Sequence, residues 1–456
     1  GTGFPYPRAA IRHYGMDRYG DYHFVPYPNR PGVTHGESWC YFRRGEDFRL
    51  IASLDERPGY TLFRFDAGTG TLTVSRDCVG IRCGGEYHVF DLFLARSLGV
   101  EDAVFDAWFD AMGVTPRTDR RLAGYSSWYN RYQDISEDSI RADLTGCAQL
   151  MRPGDLFQID DGWEPFVGDW LETDKKKFPS GLKPLADDIH ARGYLAGLWL
   201  APFVCQKGSR IMREHPDWLL LHEGEPWYCG CNWGGFYALD IDNPEFQAYL
   251  EAVFTRVLDE WGFDLVKLDF LYAAAPYGDE NETRAGRMTR AMELLRRLCG
   301  DKLILGCGVP VMPAFGLVDY CRISCDVGLD WNNNPIVRNA NRETVSTYRA
   351  VLNTVFRRQL NGRAYLSDPD VFFLRDDNIK LTPEQKYILS TVNSLFGGVL
   401  LCSDNMGQYS DEARAQYARL LENREAANIR VNAGNPHHAA KSWVRRKKAR
   451  RRDCNS

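Results

Sequence analysis

The chain has 456 residues, 44% of them hydrophobic, enough to bury a large core and to divide into two or three domains. Its 61 acidic and 56 basic residues leave a net charge of −5, which excludes a polycation built for nucleic acid or an anionic membrane surface. No apolar run reaches membrane-spanning length, and the opening GTGFPYPRAAIRHYG lacks the pattern of a signal peptide. The missing initiator Met implies a natural start further upstream.

Residues 1–115 read as an antiparallel β domain. Short alternating runs (RLIASL, YTLFRFD, GTGTLTVS, EYHVFDLFLA) are separated by turn signals, and Asp66 to Gly70 has the composition of a hairpin connection. The pattern then changes. Over 116–405, eight short buried runs alternate with helical segments: 123–129, 156–162, 195–201, 265–271, 303–309, 320–326, 364–370 and 397–403. Asn243 and Pro244 begin one helix, whose apolar face is Phe246, Leu250, Val253, Val257 and Trp261, with Gly262 to stop it. Another runs from about Glu282 to Cys299, with Met288, Met292, Leu295 and Leu298 inward. Eightfold strand–helix repetition predicts an α/β fold, a (β/α)₈ TIM barrel, with a partial N-terminal antiparallel β-sandwich. An open doubly wound sheet is second choice, because no glycine-rich phosphate loop follows any strand. Residues 406–456 are expected to be a helix and a basic tail, and the run from Arg445 to Ser456 reads as a solvated end.

Thirteen cysteines, several inside strand-like runs, fit a reducing, cytoplasmic setting in which buried thiols act as small hydrophobes. Neither Cys229-Gly-Cys231 nor Cys321 and Cys325 have partner clusters at zinc spacing, and the nine His form no HExxH. No metal or other cofactor is expected.

Side chains at the C-terminal ends of barrel strands face the mouth where chemistry occurs. Six runs end there on Trp128, Asp160 with Asp161, Trp199, Lys267 with Asp269, Arg322 with Asp326, and Asp368 with Asp370. Alternation puts Lys267 and Asp269 on one face of the fourth strand, and Arg322, Ser324 and Asp326 on one face of the sixth. Converging carboxylates repel, and a cationic neighbour on each lets their protonation differ. Glycoside cleavage needs such a pair: one carboxylate as nucleophile and one acid for the leaving oxygen.

Read together, GYSSWYN, FQIDDGWEPFVGDW, GLWLAPF, HPDWLL, YALDID, VKLDFLYAAA, LGCGVPVMPAFGLVDYCRISCD and LSDPDVFFLR resemble the α-galactosidases of glycoside hydrolase family 36, in order from about residue 35 to 430. The resemblance implies a retaining enzyme with Asp269 as nucleophile and Asp326 as general acid/base. It further implies that Asp160 and Asp161 hold O4 and O6 of a galactose, and that Lys267 and Arg322 donate to hydroxyls near the anomeric carbon. Trp199 would lie under the ring, Trp128 would form a wall, and Cys307 would sit near O2 or O3. The implied partner is an α-galactoside, with no nucleic acid and no membrane; homo-oligomerisation stays open. Three departures stand out: a tryptophan-bearing N-terminal segment and the C-terminal β domain of relatives are missing, and Tyr125 replaces a common Trp. The alternatives are an α-galactosaminidase or α-N-acetylgalactosaminidase, a raffinose-synthase-like transferase, and a carbohydrate-binding relic. Asp330, just past Asp326, bears on the choice at C2. It reads either as a helix cap near Asn332 or as a partner for a 2-ammonium group.

Overall fold

The computed structural model describes residues 33–99, 101–332 and 346–424. The basic run from Arg445 to Ser456 and the first 32 positions of the β domain lie outside them. Two three-stranded antiparallel sheets come first among the described residues: one orders Val33–Glu37, Tyr60–Asp66 and Thr71–Asp77, the other Trp39–Arg44, Asp47–Ser53 and Leu92–Leu98. The 60–66/71–77 hairpin turns where expected, and the Asp66 carboxylate accepts from the Gly68 and Thr69 amides across the turn. The run from Glu86 is strand only from Leu92 onward.

Eight parallel strands come next: Leu122–Ser126, Leu156–Ile159, Leu195–Leu200, Leu265–Leu268, Leu303–Gly306, Tyr320–Arg322, Leu366–Asp368 and Val399–Cys402, here barrel strands 1 to 8. They pair in sequence order, and strand 8 pairs back with strand 1, Val399 opposite Leu122. The ring closes between strands 7 and 8, where the Gly398 amide donates to Ser367 O at 2.7 Å and the Phe372 amide to Leu401 O at 3.0 Å. Their side chains are almost wholly buried, the pattern of a parallel sheet covered on both faces. Gly124 is required in strand 1: a Cβ there would stand 1.9 Å from Leu156 O.

The Pro244–Phe254 helix is capped by Asn243, whose Oδ1 accepts from the Glu245 and Phe246 amides, and it runs on as a π-helical turn over Thr255–Glu260. Arg284–Cys299 is capped by Thr283 and stopped by Gly300 at φ 55°. The repetition departs from expectation once. Between strands 5 and 6 stands only the short turn Met312–Ala314, because Pro310, Pro313 and Gly316 break that segment. Phe315 there is covered instead by Trp108 and Phe109 of the Glu101–Met112 helix, with ring centroids 6.1 and 5.2 Å away. That contact joins the N-terminal sheets to the barrel core.

Candidate active site

Strand 4 ends at Leu268, and the Asp269 amide makes one more ladder bond, to Leu200 O at 2.8 Å. Phe270 then turns left-handed (φ 53°) and ends the extended run, so Asp269 stands at the rim. Its Oδ1 accepts from the Phe270 amide at 2.8 Å and its Oδ2 from the Trp199 indole at 3.2 Å. Gly308 (φ 61°) lets the next loop approach: a Cβ there would meet the Phe270 amide at 3.1 Å and Asp269 Oδ1 at 3.4 Å.

Lys267 is buried and does not pair with Asp269. Its ammonium reaches Asp160 Oδ2 at 2.8 Å, and Asp160 accepts there also from Gln158 Nε2 at 2.6 Å. Burial disfavours the Lys267 charge, but Asp160, then Asp269 and Cys307, hold the group well above the usual lysine range. Asp160 Oδ1 accepts from the Asp161 amide at 3.0 Å. Asp161 Oδ2 accepts from Gln133 Nε2 and from the Trp233 indole, each at 2.9 Å, while Oδ1 is buried with no hydrogen-bond donor among the described residues.

Strand 6 is shorter than expected, ending at Arg322. Ser324 turns into the protein to donate to Cys325 O, and the loop rather than strand alternation brings Asp326 back to Arg322. The guanidinium is the centre of a carboxylate cluster. Nε meets Asp368 Oδ2 at 2.9 Å, Nη2 meets Asp370 Oδ1 at 3.1 Å and Nη1 meets Asp326 Oδ1 at 2.9 Å. Asp368 and Asp370 are 2% and 1% exposed at the side chain, whereas Asp326 is 54% exposed and opens to the mouth. Loss of bulk solvation and the Asp370 charge push Asp326 up to about 6, against the pull of Arg322; Asp269 adds a smaller push. Water in the mouth still reaches this carboxyl, so a sugar that displaced the water would deepen its desolvation.

Cys307 is buried among Asp269, Arg322, Lys267 and Asp326, and burial holds its thiol protonated. Trp199 is 2% exposed, its ring against Trp170 and Trp233 and its N–H on Asp269. Trp128 is not a strand residue: it begins the helical turn Trp128–Arg131 and packs edge-on against Tyr132 at 5.2 Å. Among the described residues it donates to none of these carboxylates. Tyr125, in place of a Trp, is buried on strand 1 and donates to Asp143 at 2.7 Å, away from the cluster.

Four residues of the site escaped the sequence reading. Trp233 (φ 53°) stands in the turn Asn232-Trp233-Gly234-Gly235, its ring 5.0 Å from Phe270. Gln133 and Glu164 attend Asp161, and Tyr129 donates to Asp370 Oδ2 at 2.8 Å. The paired glycines flag a turn, but nothing local to Trp233 tells that its indole crosses to strand 2. No cluster of three or more His, Cys, Asp or Glu able to hold a metal ion occurs among the described residues, and no helix there is long and apolar enough to cross a membrane.

Residues 117–293 match the family model described as Melibiase. The chain is 30% identical over 151 residues to α-galactosidase Mel36A of Lactobacillus acidophilus, which is 32% of this chain and 20% of that enzyme. It is 32% identical over 192 residues to an α-galactosidase of Escherichia coli, 40% of this chain and 26% of that enzyme. The matched segments thus span a fifth to about a quarter of these curated relatives. The structure superposes with TM-score 0.71 on the α-galactosidase of Thermus thermophilus solved with stachyose, 31% identical, covering 85% of this chain and 80% of that one. The α-galactosidase AgaA of Geobacillus stearothermophilus shares the fold at TM-score 0.62 and 16% identity. With 31% identity across four fifths of the Thermus enzyme and the Melibiase match over the first four barrel strands, the chain belongs to glycoside hydrolase family 36, the α-galactosidase family.

Proposed function

We propose that the chain is a retaining α-galactosidase that removes terminal α-linked galactose from oligosaccharides by double displacement. The observation that carries this reading is the unequal environment of two carboxyls at one barrel mouth. Asp269 accepts two hydrogen bonds, from an indole and an amide, while Asp326 is raised to about 6 beside a crowded guanidinium.

In the first step an Asp269 oxygen attacks the anomeric carbon from the β face. The bond to the glycosidic oxygen breaks, and the Asp326 proton passes to that oxygen. A β-galactosyl ester on Asp269 and a free alcohol result. In the second step Asp326, now a base, takes a proton from water; the hydroxide oxygen attacks the same carbon and releases Asp269. The retaining outcome calls for carboxyls about 5–5.5 Å apart, with no room for a water between them. Asp160 and Asp161 are assigned to O4 and O6, Trp199 and Trp128 to the pocket walls, Lys267, Arg322 and Cys307 to the remaining hydroxyls. A division near residues 115 and 405 accompanies this reading. A cytoplasmic setting suits the twelve unpaired cysteines among the described residues.

Asp269→Gly with added azide tests the assignment. Turnover should vanish in the variant, and azide, entering the vacated β face, should restore cleavage and give β-galactosyl azide. An α-azide product would reverse the roles of the two aspartates.

One observation favours a second reading at C2. Asp330 caps no described helix: Ser346 caps Thr347–Phe356, while Asp330 Oδ1 is shielded and accepts no hydrogen bond among the described residues. A 2-ammonium sugar could supply that donor. Galactose is nevertheless preferred, because Arg322 would repel the ammonium, and Asp330→Asn should leave galactoside hydrolysis within about 3-fold. Faster cleavage of α-galactosaminides, lost selectively in Asp330→Asn, would favour the amino sugar.

A further inference from the structure

Glu164 is a buried titratable group that the mechanism above does not use. It follows Asp161 in the loop after strand 2, is 6% exposed, and its carboxyl interacts directly with that of Asp161. Gln133 and Trp233 both donate to Asp161 Oδ2, and the remaining oxygen has no donor among the described residues. On the other side, Glu164 Oε2 accepts from the Gly162 amide at 3.3 Å. Lys177 Nζ ties the two loops together there, donating to Gln133 O at 2.8 Å and to Gly162 O at 3.1 Å. Asp160, the other charge facing Asp161, is already matched by Lys267.

Two buried carboxyls in contact cannot both be ionised without strong repulsion, so one of them keeps a proton. The two donors on Asp161 Oδ2 place the negative charge on Asp161 and leave the proton to Glu164. That O–H supplies the donor that Asp161 Oδ1 lacks. We propose that Glu164 is a positioning residue: a neutral carboxylic acid that donates to Asp161 Oδ1 and fixes the carboxylate that receives the sugar's hydroxyls. Burial and the neighbouring Asp161 charge both push Glu164 well above the usual carboxylate range, in agreement with that geometry. The idea rests on the reading of Asp161 as a sugar-binding group.

The test compares Glu164→Gln with Glu164→Ala, using an α-galactoside as substrate and infrared difference spectra without substrate. Gln keeps a donor at the same place, so Glu164→Gln should hold KM within about 3-fold. Glu164→Ala should raise KM about 10-fold or more while kcat changes little, since one hydrogen bond to a charged group is lost. At neutral pH the wild type minus Glu164→Gln spectrum should contain the carbonyl stretch of a protonated carboxyl. Absence of that band, Glu164→Gln as impaired as Glu164→Ala, or a KM unmoved in Glu164→Ala would each overturn the proposal. If Glu164→Ala does not fold, the band and Glu164→Gln still decide. Asp161→Asn separates the two readings: an unchanged KM there would remove Asp161 from the sugar site whatever the infrared band shows.

Discussion

Replacing Lys267 by Met should separate what the Asp160–Lys267 pair does for stability from what it does for the site. The ammonium and carboxylate are 2.8 Å apart, with 9% and 3% of their side chains exposed. Met fills the space of the lysine stem but leaves Asp160 as a buried charge, with only Gln158, the distant Ser126 hydroxyl and the Asp161 amide to solvate it among the described residues. Breaking a buried pair in this way costs about 3–5 kcal/mol. With an unfolding entropy of about 2.1 cal/mol/K per residue over roughly 400 residues, Tm should fall by about 4–6 °C. The double variant Asp160→Asn, Lys267→Met has no orphaned charge and should recover most of that loss. Its kcat/KM should stay as low as that of either single variant, because both groups are assigned to the sugar's hydroxyls. Thermal denaturation of the four proteins gives the coupling energy directly. A Lys267→Met cost below about 1 kcal/mol, or a double variant as unstable as the two singles added together, would refute the pairing argument.

In the proposed mechanism Asp326 acts in its protonated form, so kcat/KM should fall as pH rises through about 6. Asp370 is the charge that most raises Asp326, so Asp370→Asn should move that descending limb to lower pH; a limb shifted upward or unmoved would contradict the cluster electrostatics. Far from the mouth, buried Glu56 is raised from 4.5 to about 8 by burial, against a hydrogen bond from the Thr61 amide. The folded state keeps this proton while the unfolded chain releases it near 4.5, so Glu56 lowers stability by about 1.4 kcal/mol per unit as pH rises from 4.5 towards 8, then levels off. Glu56→Gln should flatten the Tm–pH curve over that interval, and an unaltered slope would show that Glu56 ionises normally.

Much of the barrel was legible because buried parallel strands are continuous apolar runs, as in LAGLWL and VLLC, and because Asn243-Pro244 and Gly300 mark helix ends without tertiary help. The mouth was harder to read. Strands 2, 4 and 6 stop at Ile159, Leu268 and Arg322, so Asp160, Asp269 and Asp326 are carried by the loops beyond the strand ends. A left-handed Phe270 or a loop that folds Asp326 back onto Arg322 leaves no period in the sequence. Lys267 turned to Asp160 across the strand neighbours rather than to Asp269 two residues on, because the choice is made by the 2.8 Å contact and not by alternation. Trp233 and Gln133 reach Asp161 from loops 72 and 28 residues away, which no local signal encodes. The break in repetition between strands 5 and 6 was missed by the eightfold reading although Pro310, Pro313 and Gly316 are its local cause, and nothing local points to its replacement cover, Trp108 and Phe109.

The Arg322 cluster also explains why its three carboxylates need not share one role. A single guanidinium faces Asp326, Asp368 and Asp370, so the group carries excess negative charge and takes up a proton most readily where ionisation is least supported. Asp370 accepts from the Tyr129 hydroxyl and from the Val327 and Val371 amides, and Asp368 from the Asp370 amide. Asp326 has its bond to Arg322 and no amide donor among the described residues. The proton therefore falls to Asp326, raised to about 6, which is also the member open to the mouth. Asp269, by contrast, is supplied with an indole and an amide donor and has Lys267 nearby. The same loop that carries Asp326 beyond the end of strand 6 thus removes it from the amide donors that would have kept it a plain carboxylate.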